Sequence, residues 1–226
     1  MHVVLSLGGS LINTENGIDK KFLSEVKKIL EKSPHDFGVV TGGGTAARIY
    51  AQKARVAGGS EFEADEAAIK ATKENAKHAI EAFGKIAYPR VLETFDEARK
   101  AASASKIVVM GGTIPGITTD TDAVLLAEAL RAKRVVNISN IDGVYNDNPS
   151  KNPYAKKYSR LNYDEMIKLA VTSDSRKAGT NFVFDILACK LIARSRIETH
   201  FVSGKNLQDL KNAIEGNEHG GTVVKE

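Results

Sequence analysis

The chain has 226 residues, 42% of them hydrophobic, which suffices to bury one sizeable core and excludes a disordered or fibrous protein. Lys and Arg number 32 against 28 Asp and Glu, a formal net charge of +4 spread along the whole length; without a dense basic block interleaved with aromatics this is no nucleic-acid footprint. Cys189 is the single cysteine, so there is no internal disulfide framework, and no apolar run is long enough to span a bilayer.

Met1 to Leu7 runs straight into Gly8, Gly9 and Ser10 without a basic segment or a long apolar h-region, so no signal peptide and a cytoplasmic setting are expected. Val3 to Leu7 reads as a buried strand. Asp19 to Lys32 follows as a helix opening on an Asp N-cap, with Phe22, Val26, Ile29 and Leu30 on one stripe. Phe37 to Thr41 is a second strand, followed by helices at Ala46 to Ala57, Glu63 to Phe83 and Thr94 to Ala102. Ile107 to Met110 is the third strand, Thr121 to Leu130 a helix and Val135 to Ile138 the fourth strand. Asn146 to Tyr158, carrying Pro149 and Pro153, is a polar loop. Helices at Tyr163 to Thr172 and Asp185 to Ala193, a strand at Thr199 to Val202 and a helix at Leu207 to Glu215 complete the chain. Continuous Val/Ile/Leu runs read as strands buried on both faces. Their alternation with helices predicts an α/β fold: a three-layer αβα sandwich with a mainly parallel central sheet. No composition break marks an independent domain.

The 19 glycines are barely above the usual share of roughly 7%. Their positions say more. Three of the five strands end in Gly8-Gly9-Ser10, Gly42-Gly43-Gly44-Thr45 and Gly111-Gly112-Thr113, each closed by a hydroxyl residue. In an open parallel sheet the carboxyl ends share one edge, so these loops are expected to converge there. Backbone N–H groups and helix N-termini would then face a polyanion such as one or two phosphorylated nucleotides. Glycine serving only as tight turns is the alternative.

No stretch supplies a P-loop. Gly42 to Ala47 does satisfy G-x-G-x-x-A, with Asp65 some 20 residues on, so a dinucleotide site stays open as a rival. The five histidines show no ligand spacing, Cys189 sits on an apolar helical pattern, and no metal site is assigned.

Leu7-Gly8-Gly9-Ser10, Val40 to Gly44 with Arg48 on the next helix, MGGTIPGITT from Met110 to Thr119 followed by Asp120, and Ser139 to Tyr145 together resemble the amino acid kinase family, in its archaeal uridylate (UMP) kinase branch. The resemblance spans essentially residues 1 to 226 and implies the amino acid kinase fold, with an acceptor half of about 1–134 and a donor half of about 135–226. It implies transfer of the ATP γ-phosphoryl group to UMP in pyrimidine nucleotide supply, with Mg²⁺ accompanying ATP, and a homo-oligomer, typically a hexamer.

On the ATP side the resemblance implies Gly9, Ser10, Gly44 and Arg48 at the phosphates and Ser139, Asn140, Tyr145 and Asn148 at the adenosine. On the UMP side it implies Gly43 at the phosphate, Asp65 at the ribose hydroxyls, and the loop Thr113, Ile114, Pro115, Gly116, Ile117, Thr118 and Thr119 closing over the nucleotide. Arg48, Asp120 and Asp142 are the catalytic candidates, the two carboxylates orienting cationic groups or hydrated Mg²⁺; Asp142 reads equally as a turn-forming Asp-Gly. Ser6 stands where many members have lysine, leaving Arg48 or Lys177 to supply a cation. Asn148 replaces a usual Asp, and Asp185 stands where acetylglutamate kinases have a second lysine. A different small acceptor and a non-catalytic nucleotide- or oxyanion-binding role stay open.

Overall fold

The computed structural model describes residues 1–174 and 184–226. Along the chain lie β1 (His2–Leu7), α1 (Gly9–Ile12), β2 (Asn13–Thr14), β3 (Gly17–Ile18), α2 (Lys20–Lys32), β4 (Asp36–Thr41), α3 (Gly44–Val56), α4 (Glu61–Phe83) and α5 (Phe95–Ala101). There follow β5 (Ile107–Met110), α6 (Thr119–Ala129), β6 (Arg134–Ser139), β7 (Val144–Tyr145), β8 (Lys157–Tyr158), β9 (Arg160–Leu161), α7 (Tyr163–Asp174), α8 (Ile186–Ser195), β10 (Glu198–Ser203), α9 (Leu207–Glu215) and β11 (Thr222–Val224).

All five predicted strands enter one seven-stranded sheet of order β5-β4-β1-β6-β10-β11-β9. The first five are parallel, while β11 runs antiparallel to β10. Side chains alternate across the sheet, so each apolar run feeds two cores. Leu5, Val39, Val109, Val136 and Val202 pack toward α2, α4 and α9. Val4, Val40, Val108, Val135 and Phe201 pack toward α5, α6, α7 and α8. This is the predicted three-layer arrangement. At the carboxyl end of the second face the apolar pattern breaks at Ser6 and Asn137, which the register pairs across β1 and β6.

Caps explain the helix starts. Asp19 accepts from the Phe22 N–H at 2.8 Å, as predicted. Ser60 forms a capping box with Glu63, so α4 begins ahead of the expected Glu63. Thr118 caps α6, which begins at Thr119, two residues before the expected start. The buried stripe of α2 is Leu23, Val26 and Leu30; Phe22 and Ile29, expected inside, only flank it. The short α1 and the two- or three-residue strands lack enough residues to show a period, and the sequence did not announce them. No helix among the described residues is long and apolar enough to cross a membrane.

Candidate active site

The loops after β1 and β4 cross at contact distance. The Gly42 N–H donates to the Leu7 carbonyl at 2.9 Å, and a Cβ on Gly9 would fall 2.3 Å from the Gly42 carbonyl oxygen. Gly44 has φ +59°, and a Cβ there would lie 2.6 Å from the Ser10 nitrogen. Glycine is therefore obligatory at both places. From below, α4 ties the loops together: Asn75 donates to the Gly42 carbonyl at 2.8 Å, and the Thr72 hydroxyl accepts from the Gly112 N–H at 2.7 Å. The three glycine loops thus meet, as their positions at one sheet edge predict. The loops after β1 and β4 border a cleft of about 320 Å³ lined among others by Ser6, Ser10, Arg48, Thr119, Asp120, Asn137, Ser139 and Asn140.

On one side of the cleft the segment Thr113 to Thr118 is held by three carboxylates. Asp122, fully buried, accepts from the Thr113 N–H at 3.2 Å and its hydroxyl at 2.6 Å. Asp65 accepts from the Gly116 N–H at 2.9 Å. Asp185, the N-cap of α8, accepts from the hydroxyls of Thr118 and Thr121, joining the N-termini of α6 and α8. Burial pushes the Asp122 carboxyl up to about 6, against the hydrogen bonds from Thr113. Ile114 and Gly116 are exposed at the loop's outer edge.

Asp120 lies at the base of the cleft, deep among protein atoms yet with part of its surface open to the cleft. The Ser6 hydroxyl donates to its Oδ1 at 2.8 Å, and the Asn137 amide approaches the same oxygen at 3.4 Å. Burial pushes this carboxyl up to about 7; the Asp185 charge adds to the rise and the Ser6 and Asn137 hydrogen bonds oppose it. Asn137 is itself buried, and its Oδ1 has no hydrogen-bond partner among the described residues.

On the other side, Asn140 donates to the Ser10 hydroxyl at 3.0 Å, bridging the loops after β6 and β1. Asp142 and Tyr145 sit farther out. Asp142 accepts from Lys157 at 2.8 Å and from the Tyr145 hydroxyl at 2.7 Å, so it orients a cation, though that cation is Lys157. Partial burial raises this carboxyl, but the hydrogen bonds and charge of Lys157 and Tyr145 outweigh it and hold it below the usual carboxylate range. The Tyr145 phenol rises to about 12 because it donates to Asp142. Gly143 has φ +156°, completing the Asp-Gly turn. Asn148 is buried, and its side-chain oxygen accepts from the Ser150 N–H at 2.9 Å, closing a local turn.

The structure therefore gathers Ser10, Arg48, Thr119, Asp120, Ser139 and Asn140 around one cleft, with Gly9, Gly43 and Gly44 in the crossing loops, and leaves Asp142, Tyr145 and Asn148 out of its lining. Arg48 is exposed on the first turns of α3 and forms no ion pair among the described residues. Lys177 lies outside those residues. The dinucleotide reading fails on geometry: Asp65 stands in the second turn of a helix and not at a strand end. Asp65 does not cap its helix, because Ser60 fills that position. Cys189 is buried and its thiol is pushed up by burial, as suits a packing residue.

Sequence reading passed over Ser6 as a hydrogen-bond donor to Asp120, and over Thr72, Asn75, Asp122 and Asn137. All five are polar residues interrupting apolar runs or stripes, a signal the sequence did contain. Among the described residues no group of three or more His, Cys, Asp or Glu side chains is placed to hold a metal ion.

Residues 1–203 match the amino acid kinase family. The uridylate kinase of Thermococcus kodakarensis is 42% identical over 228 residues, the full length of both chains. The crystal structure of uridylate kinase from Archaeoglobus fulgidus superposes with a TM-score of 0.86 at 39% identity, covering 99% of this chain and all of that one. The UMP kinase of Bacillus anthracis, 19% identical and covering 99% and 95%, shares the fold with a TM-score of 0.81.

Proposed function

The chain belongs to the amino acid kinase family, and from that premise we propose that it transfers the γ-phosphoryl group of ATP to UMP, giving ADP and UDP. The observation that carries this reading is the meeting of three glycine loops at one sheet edge, beside a loop braced by Asp65, Asp122 and Asp185. In this reading ATP lies over Gly9, Ser10, Ser139 and Asn140, and UMP lies between Gly43, Asp65 and Thr113 to Thr119. Asp65 then exchanges its Gly116 partner for a ribose hydroxyl. The donor side narrows relative to expectation: Tyr145, Asp142 and Asn148 frame the adenosine end from outside the cleft.

Phosphoryl transfer needs in-line positioning and charge stabilisation more than a covalent catalyst. Two multiply anionic substrates repel by about 4 kcal/mol per unit-charge pair at ~4 Å and an effective dielectric of ~20. Arg48, unpaired among the described residues and facing the cleft, and the backbone N–H groups of the crossing loops offset that repulsion where charge develops. The acceptor phosphate oxygen is already ionised near neutral pH, so no general base is required. The described residues do not form a metal cage. Mg²⁺ therefore belongs to this reading as a cation carried on the ATP phosphates with its water, where it supplies charge neutralisation, and no step is routed through it.

A place in pyrimidine nucleotide supply, a cytoplasmic setting, the acceptor and donor halves divided near residue 134, and a homo-hexamer complete the proposal by analogy with the family. Exposed Ile49, Val56 and Phe62 on α3 and α4 are compatible with self-association. The test is ADP formation measured with a panel of nucleoside monophosphates in the presence of Mg²⁺. UMP should give the highest rate; a rate with UMP no higher than with buffer overturns the proposal.

A further inference from the structure

Helix α4 reaches two of the three glycine loops with side chains one turn apart. The Thr72 hydroxyl donates to the Ile69 carbonyl at 2.7 Å and accepts from the Gly112 N–H at 2.7 Å, while the Thr72 carbonyl accepts from the Thr41 hydroxyl at 2.8 Å. This turn of α4 is therefore tied to the ends of both β4 and β5. Asn75, on the same face of the helix, is 1% exposed and donates from Nδ2 to the Gly42 carbonyl at 2.8 Å. It interrupts the buried alanines Ala71, Ala76 and Ala79 of α4. An amide costs stability at such a place unless its bonds are made.

A trans peptide is planar, with its carbonyl and its N–H pointing opposite ways, and no cis bond occurs among the described residues. The Gly42 oxygen lies toward Asn75 and against Gly9, where a Cβ would fall 2.3 Å from it. The Gly43 N–H of the same peptide is thereby turned away from α4. With glycine on both sides of this peptide, backbone sterics set its orientation only weakly. We propose, resting on the phosphotransferase reading above, that Asn75 is a positioning residue: by holding the Gly42 carbonyl it aims the Gly43 N–H at the phosphate of UMP. Asn75 itself touches neither substrate. Asp65 accepts from the Gly116 N–H from the same helix, so α4 sets both the phosphate end and the ribose end of the acceptor.

Asn75→Leu keeps most of the side-chain volume and removes the donor. The Kd for UMP, measured by calorimetry, should rise about tenfold, as expected for one hydrogen bond to a charged group. The Kd for uridine, which carries no phosphate, should move by less than about twofold, and so should the KM for ATP. A side chain that only held the fold together would weaken UMP and uridine alike. Equal weakening of the two, or unchanged UMP binding in a variant that folds, overturns the proposal.

A second measurement needs no variant. In nuclear magnetic resonance spectra of the parent, the Gly43 amide proton should move downfield on adding UMP and hold its place on adding uridine. A Gly43 signal that answers alike to both overturns the proposal. The two readings fail separately. No UDP from the parent in the monophosphate panel strikes the phosphotransferase reading, whereas UDP from the parent with a Gly43 signal indifferent to the phosphate strikes the role of Asn75 alone.

Discussion

Asp122 and Asp142 each brace a loop at the carboxyl edge of the sheet, one beneath residues 113–118 and the other beside the β7–β8 pair. Asp122 is fully buried, takes two hydrogen bonds from Thr113 and has its carboxyl raised to about 6. Asp142 is exposed, takes its bonds from Lys157 and Tyr145, and is held below the usual range. A buried brace with neutral donors fixes its loop firmly and makes that firmness depend on pH. An exposed, charge-paired brace is screened by water and holds weakly. The two sides of the cleft should therefore answer very differently to the same kind of substitution.

The largest effect is expected from Asp122→Ala, which orphans two donors and opens a cavity. It should cost about 1–3 kcal/mol in stability, and the KM for UMP should rise about tenfold or more while that for ATP moves by less than about twofold. Thermal melts and initial rates check both. Asp122→Asn sharpens the contrast. The folded state holds a proton on Asp122 that the unfolded chain gives up near 3.8, so this contribution is full below about pH 4 and is lost as pH rises through about 6. Relative to Asp122→Asn, the parent should lose on the order of 2 kcal/mol between pH 4.5 and pH 8; parallel melting curves would break the comparison.

Asp65→Asn comes next. Its half-exposed bond to Gly116 is a weaker brace, so stability should change by less than about 1 kcal/mol. The KM for UMP should rise about fivefold to tenfold, far more than that for ATP. Equal effects on both substrates would show that Asp65 does not serve the acceptor side. Asp142→Asn should do least: within about 1 kcal/mol in stability and about threefold in the KM for ATP. A loss as large as that of Asp122→Ala would mean that the exposed pair carries more than its surroundings allow.

Much of the frame was readable in advance. Runs such as Val3 to Leu7 and caps such as Asp19 act over a few residues, so the strand and helix order follows from local patterning. The glycines were readable as well, because Gly9 and Gly44 occupy places where a Cβ would strike backbone. The donor side was less legible. Motif position put Asp142 and Asn148 near a ligand, whereas Lys157, Tyr145 and Ser150 compete for their oxygens across a loop whose path no local rule sets.

By itself the sequence determined the layers, the parallel sheet and the edge at which the glycine loops gather, since periodicity and capping are short-range. Only the tertiary structure decided that Ser6, 114 positions from Asp120 in the chain, meets it across the cleft, and that Asp122 turns inward to Thr113. Those meetings depend on which strand lies beside β1 and in what register, because a polar group's worth is set by the water it loses and the partner it finds.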